Sequence, residues 1–384
     1  MGLNTSSKYL LYIDEPLRHQ FSGHGTFLMA YPRTLVLISD TSQTCGVEEF
    51  SRLLAQRFGG QAETHVLDGN VPGLRAALKD CDALVLNFPV VAWKKKLVEP
   101  LIAALTARLM GKKTVVVLHE WAALDWKRRV VLAPVAALAS RICFSAPEIA
   151  AEFAESPVSR LASGSRTVIP IPPNLTKPAK VQPGNFSRSL QEEREKGRLI
   201  LGQFGSIYPQ KQVTSVLAVA AELLARGEDV FVAFAGSFIK GLDTVETDFF
   251  AAVERLGLTD RVAVSGFISS EEELYAIFDG IDVFCYLLPG GLTARRASVL
   301  AAAASGKPVV VNAPEDSNAL NHHRLFKTLI GGGQLRLIPT GAGITEVAEA
   351  VLEARRATID PANLATEIDA LWDDVIARID GAGR

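Results

Sequence analysis

The stretch PGGLTARRASVLAAAASGKPVVVN at 289–312 assembles what is needed to hold an anion where a helix begins. Gly290 and Gly291 let backbone approach a ligand closely, Thr293 is a suitable N-cap, and residues 294–305 read as a helix stopped by Gly306. Helix N-termini attract negative charge, so the N–H groups of Leu292 to Ala294 are candidate donors to a phosphate. Arg295 and Arg296 fall in the expected first turn, where cations oppose the helix dipole; a bound anion explains them better than local stability does. The alternative is a capped core helix with two solvated arginines. Residues 307–311 follow as a short buried strand.

The elements that must position these residues alternate in type. Apolar runs at 34–39 (TLVLIS), 62–67, 83–87 (ALVLN), 114–118 (TVVVL), 141–145 (RICFS) and 167–171 read as parallel strands separated by helices. Such alternation implies a doubly wound sheet, with ligands bound at the carboxyl ends of its strands. The loops at 40–46, 88–93 and 119–121 are therefore the places to look, and the last holds His119 and Glu120. A Pro-rich and then charged stretch follows, with residues 176–197 as the linker. A second alternating set occupies 198–203, 230–235, 262–265, 283–288, 308–311 and 335–338. The expected organisation is an unassigned extension (1–32), a first Rossmann-like domain (33–175), the linker, a second Rossmann-like domain (198–345) and a helical tail (346–384) packing back on the first.

Composition narrows the function classes. At 384 residues and 48% hydrophobic content the chain can form two full cores. It has no run of eighteen apolar residues and no signal-like leader at Met1, which implies a cytoplasmic protein. The four cysteines are widely spaced and show no zinc pattern, so no metal site is expected. Net charge is −2, yet residues 1–190 hold 22 Lys and Arg against 15 Asp and Glu. The first half is thus basic and the second acidic. Trp93-Lys94-Lys95-Lys96 and Trp126-Lys127-Arg128-Arg129, with Lys112 and Lys113 added, suit an anionic membrane surface on its inner face; solvated helix ends are the plain alternative. Nucleic acid is not expected, because no aromatic stacking platform accompanies the basic clusters.

Several segments of the second half form a recognisable series. They are Phe204-Gly205-Ser206-Ile207-Tyr208-Pro209-Gln210-Lys211, Phe234-Ala235-Gly236, Leu256-Gly257-Leu258-Thr259-Asp260-Arg261-Val262 with Gly266-Phe267, and Ser305-Gly306-Lys307-Pro308. Their order resembles the donor-binding domain of the family 4 glycosyltransferases, retaining enzymes of the GT-B fold, in which two doubly wound Rossmann-like domains face a central cleft. The resemblance covers 198–345 and, more loosely, the first domain through Cys45-Gly46-Val47-Glu48 and His119. It implies a nucleotide diphosphate sugar as donor, with no other cofactor. The implied donor-binding residues are Gly205, Ser206, Lys211, Gly236, Gly266, Phe267, Gly290, Gly291, Leu292, Thr293, Arg295 and Arg296. His119, Lys211 and Arg295 are the implied catalytic residues, and Gly46 and Glu120 lie on the acceptor side. The chain departs from the family at two usual glutamates, whose positions hold Thr293 and Ala301, and at Ser206, where arginine is common. Arg295 and Arg296 would then supply the displaced positive charge.

The activity so implied is a hexosyltransferase, retaining and metal-independent, acting on a glycan or lipid-linked acceptor in cell-surface polysaccharide synthesis. A non-catalytic partner subunit binding nucleotide or glycan, and a nucleotide-sugar epimerase, are the alternatives one scaffold leaves open.

Overall fold

A computed structural model describes residues 33–39, 45–96, 98–175, 177–208, 212–238, 244–357 and 364–381. The extension 1–32, the loop at 40–44 and the expected site residue Lys211 lie outside them. All twelve expected strands form, in two six-stranded parallel sheets. The first contains β1 (Thr34–Ile38), β2 (Ala62–Val66), β3 (Ala83–Phe88), β4 (Lys113–Leu118), β5 (Arg141–Phe144) and β6 (Ser165–Val168), in the order β2-β1-β3-β4-β5-β6. The second contains β7 (Leu199–Phe204), β8 (Val230–Ala235), β9 (Val262–Val264), β10 (Val283–Tyr286), β11 (Val309–Asn312) and β12 (Leu335–Ile338), ordered β12-β11-β10-β7-β8-β9. Every residue of β1 and of β8 is buried, as a strand covered on both faces requires. The run at 167–171 ends early as a strand because Pro170 has no N–H to give to the ladder.

Helices α1 (Gly46–Arg57), α2 (Val71–Leu78), α3 (Glu99–Leu109), α4 (Trp126–Leu138) and α5 (Pro147–Glu155) accompany the first sheet. Within the expected linker, Asn185–Glu195 form α6, whose Leu190 is fully buried in the second core while its charged run faces outward. The second sheet carries α7 (Val213–Ala225), α8 (Val245–Arg255), α9 (Glu271–Gly280), α10 (Ala297–Ala304), α11 (Arg324–Gly331) and α12 (Ile344–Arg356). The last helix, α13 (Leu364–Asp380), touches both halves: Arg324 of α11 pairs with Glu367, and Arg57 of α1 pairs with Asp369 at 2.5 Å. Trp372 of α13 stacks on Phe50 of α1 at 5.6 Å. Burial of a tryptophan on an aromatic partner gives this helix its main anchor.

His323 joins the second half to the segment that enters from the first. It is fully buried, its Nδ1 accepts from the N–H of Phe326 at the start of α11, and its Nε2 donates to the Ile171 carbonyl at 2.9 Å. Burial pushes its pKa down to about 4 from 6.5. An unfolded chain takes up this proton near pH 6.5, whereas the folded chain resists until about pH 4, so this part of the stability is complete above pH 6.5 and is lost as pH falls between the two values. The loss is on the order of 3 kcal/mol. Asp380, raised to about 6 by burial, acts in the opposite sense, favouring the folded state as pH falls. Urea unfolding of wild type and His323→Gln at pH 7.5 and pH 4.5 separates the two. The acid loss is expected to shrink in the variant; an unchanged loss would mean that His323 is not its source.

Candidate functional site

The loop between β10 and α10 is fixed from below by the end of β11. Asn312, the last residue of β11, accepts from the N–H of Leu288 at 2.8 Å and donates to the Leu288 carbonyl at 2.7 Å, and its own carbonyl accepts from Leu292. Gly290 and Gly291 have φ of +71° and +79°. A Cβ on Gly291 would lie 1.9 Å from the Ala313 carbonyl oxygen, so the close approach here is to the chain itself. Leu292 and Ala294 are buried, and the helix begins only at Ala297. This corrects the expected start at 294. Thr293 does not cap α10; Arg296 stands at the N-cap, without a side-chain cap bond, and Arg295 precedes it. The physical reason is that the Leu292 N–H is committed to Asn312 and two apolar anchors hold the loop irregular for a further turn.

The two guanidinium groups separate. Arg295 reaches the first half, donating from Nη1 to the His119 carbonyl at 3.1 Å and lying 3.6 Å from the Glu148 carboxylate, which stands in the first turn of α5. Arg296 reaches Tyr208, just after β7, with Nη1 at 3.4 Å from the phenol oxygen. The Nε of Arg296 is buried without a hydrogen-bond partner, and that of Arg295 is the atom facing the Glu148 carboxylate, at a distance too long for a hydrogen bond. Such groups are costly to leave unpaired, and a ligand with acceptor oxygens would relieve that cost.

His119 follows β4 and is buried. Its Nε2 lies 3.3 Å from Oδ1 of Asn87, near the end of β3, and the Phe50 ring meets the imidazole edge-on at 5.2 Å. Burial first, and the Arg295 charge second, push its pKa down to about 3. The imidazole is therefore neutral at physiological pH, a hydrogen-bonding group and not a proton acceptor of useful strength. Glu120 follows at the same strand end, half-buried. Gly46 opens α1 and faces open space, so no protein atom demands a glycine there. Glu48, two residues on, accepts from the Ser39 N–H and from Arg52, which makes it a tie between β1 and α1.

The remaining expected donor residues lie along one edge of the second sheet, where β10, β7, β8 and β9 are neighbours. Gly205 and Gly236 follow β7 and β8, and a Cβ on Gly236 would lie 2.2 Å from the Gly205 oxygen. The Gly236 N–H donates to Ser265, whose hydroxyl in turn donates to the Gly266 carbonyl. Ser206 is exposed beside them, and the Phe267 ring is 74% exposed. Ser206, Tyr208, Gly236, Phe267 and the two arginines thus follow the carboxyl ends of neighbouring strands, and the His119 carbonyl meets Arg295 from the other half. Glu148 and Asn87 were not expected. Glu148 follows RICFS and Asn87 ends ALVLN, so the rule that strand ends carry function would have found both.

The basic clusters divide. Trp93 is 4% exposed and packs on Phe88 at 5.5 Å, so it is not a surface anchor, and Lys96 donates to the Leu67 carbonyl. The stems of neighbouring lysines make a buried and an exposed tryptophan look alike in sequence. Trp126 is 68% exposed, with Lys127 near its ring; Arg128 pairs with Asp125 and Arg129 donates to the Leu124 carbonyl. The side chains of Lys94 and Lys95 lie outside the described residues, as does the backbone of residue 97. Among the described residues no group of three or more His, Cys, Asp or Glu could hold a metal, and no helix is long and apolar enough to cross a membrane.

No protein-family model matches the chain, and no curated protein sequence matches it. Solved structures do. Anabaena HepE in complex with UDP is similar at 16% identity over 91% of this chain and 98% of that one, with a TM-score of 0.60. Sucrose-phosphate synthase from Thermosynechococcus elongatus is similar at 17% identity, 91% and 98% coverage, and a TM-score of 0.60. A UDP-forming alpha,alpha-trehalose-phosphate synthase from Burkholderia xenovorans matches at 11% identity, 91% and 95% coverage, with a TM-score of 0.52. The two parallel sheets and their interleaved helices form the GT-B fold that these proteins share.

Proposed function

We propose that the protein transfers a sugar from a nucleotide diphosphate sugar to a glycan or lipid-linked acceptor, with retention and without a metal. The observation that carries this reading is Arg295. It stands ahead of a helix N-terminus, crosses to the His119 carbonyl, and its Nε is buried with only the Glu148 carboxylate, at 3.6 Å, to face it and no hydrogen bond made. HepE was crystallised with UDP and the trehalose-phosphate synthase is named as forming it, so UDP-sugars are the first donors to try.

In this reading the glycosidic bond to the diphosphate breaks and the leaving oxygen takes the electron pair. Arg295, Arg296 and the start of α10 neutralise the charge that develops there, which is where fixed donors act most strongly. Lys211 adds to them, and the loops of Gly205, Ser206 and Gly236, drawn together by the close approach of Gly236 to the Gly205 carbonyl, border the phosphates. Gly266 and Phe267 border the base, whose face the exposed ring can cover. The acceptor hydroxyl attacks from the same face and its proton passes to a diphosphate oxygen. His119, neutral and with its Nε2–H directed at Asn87 Oδ1, offers Nδ1 to accept a hydrogen bond from a sugar hydroxyl, and Glu120 and Gly46 lie on the acceptor side. Surface polysaccharide synthesis by a hexosyltransferase is the setting in which we place it.

A second reading has its own support. Thr293 and Ala301 offer no carboxylate, and Ala301 is fully buried, which favours a partner subunit that binds nucleotide without turnover. Incubation with UDP-glucose and a panel of glycan and lipid acceptors decides between them. Acceptor-dependent UDP release supports transfer; binding with no release supports the subunit; an altered sugar nucleotide formed without acceptor would replace both with epimerisation.

A further inference from the structure

α3 buries Ala103, Ala104 and Ala107 against the first core and turns other residues outward. Val98, Ile102, Leu105 and Leu109 are all exposed, Leu109 by 79%, and their spacing of four, three and four places them on one helical face. On α4, which packs beside α3, Trp126 and Val130 are exposed and four apart. Single exposed hydrophobic side chains are ordinary, but six on the outer faces of two adjoining helices form a surface that calls for a partner.

Charge identifies the partner. Residues 91–139 carry nine lysines and arginines against three acidic residues, Glu99, Glu120 and Asp125. Asp125 is spent on Arg128, and the exposed cations near the apolar rows include Arg108, Lys127 and Arg129. A second copy of the chain meeting this face would bring two basic surfaces together, which like-charge repulsion opposes. Anionic headgroups over an acyl layer match both features at once.

We propose that the α3–α4 face seats on an anionic lipid bilayer, with Val98, Ile102, Leu105, Leu109, Trp126 and Val130 entering the boundary between headgroups and acyl chains. Arg108, Lys127 and Arg129 meet the lipid phosphates. This surface does not depend on the transferase reading, and it excludes the buried Trp93. An apolar pocket lined by Phe88, Trp93, Pro100, Leu132 and Val135, with Lys96 and Arg128 at its walls, opens between the same two helices and continues the apolar character inward.

Sedimentation of the full chain with vesicles of phosphatidylcholine, with and without an equal part of phosphatidylglycerol, tests the proposal. Binding is expected only to the anionic vesicles and is expected to weaken with salt. The variants Leu105→Glu with Leu109→Glu, and Arg108→Glu with Lys127→Glu, change exposed positions and are each expected to lower the partition coefficient about tenfold or more. No sedimentation, equal binding to neutral vesicles, or binding unchanged in both variants overturns it. So does a concentration-dependent dimer in ultracentrifugation that the Leu105→Glu, Leu109→Glu variant abolishes, since that assigns the face to a second copy.

Discussion

Replacing Arg295 with alanine is expected to lower kcat/KM for sugar transfer by a factor of about 10²–10³, the usual loss when one fixed donor to a developing negative charge is removed. Two observations set this expectation. The guanidinium is held toward the first half by the His119 carbonyl, and its Nε faces the Glu148 carboxylate at 3.6 Å without a hydrogen bond, so a closer acceptor on a ligand can take it. Arg295→Lys retains the charge but loses the planar fork, so it is expected to recover only part of the rate. Glu148→Gln provides the contrast: it removes a competitor for the guanidinium and is expected to leave UDP affinity equal or tighter. Activity kinetics on the three variants check the set, and an Arg295→Ala enzyme with wild-type kcat/KM would remove Arg295 from the chemistry.

Gly291→Ala is expected to disable the same loop by another route. Its Cβ must displace the Ala313 carbonyl, 1.9 Å away, and its φ of +79° is one that side chains rarely adopt. Together these are expected to cost about 3 kcal/mol of stability and to shift the loop that carries both arginines. Gly197→Ala is the matched control, because Gly197 also has positive φ, +85°, but faces open space. Chemical denaturation of the two variants isolates the steric part. Equal losses in both would show that the Gly291 contact is relaxed at no cost.

Much of this architecture was legible because parallel strands announce themselves. TLVLI, ALVLN and VFVAFA are continuous apolar runs rich in branched side chains, and each became a buried strand. The glycine loops were legible for the same local reason. The start of α10 was not, because Thr293 has the chemistry of a cap while the choice was made by Leu292 and Ala294, whose burial depends on a strand that follows them. Glu148 and His119 were separated from Arg295 by 147 and 176 residues, and only the packing of one half on the other brings them together. The neutrality of His119 likewise comes from burial by Phe50, itself backed by Trp372 of the last helix. The apolar row on α3 needed its buried alanine face to be seen before its outer face acquired meaning.

In the proposed function, Arg295 and the loop before α10 hold a nucleoside diphosphate. Titration calorimetry of UDP into wild type and Arg295→Ala measures it directly. The expected result is saturable binding by wild type, weakened between about tenfold and a hundredfold in the variant, the worth of one charge-assisted pair. No binding to the folded wild-type protein by UDP, or by GDP, ADP and TDP in its place, would contradict the claim and leave the fold with a different function.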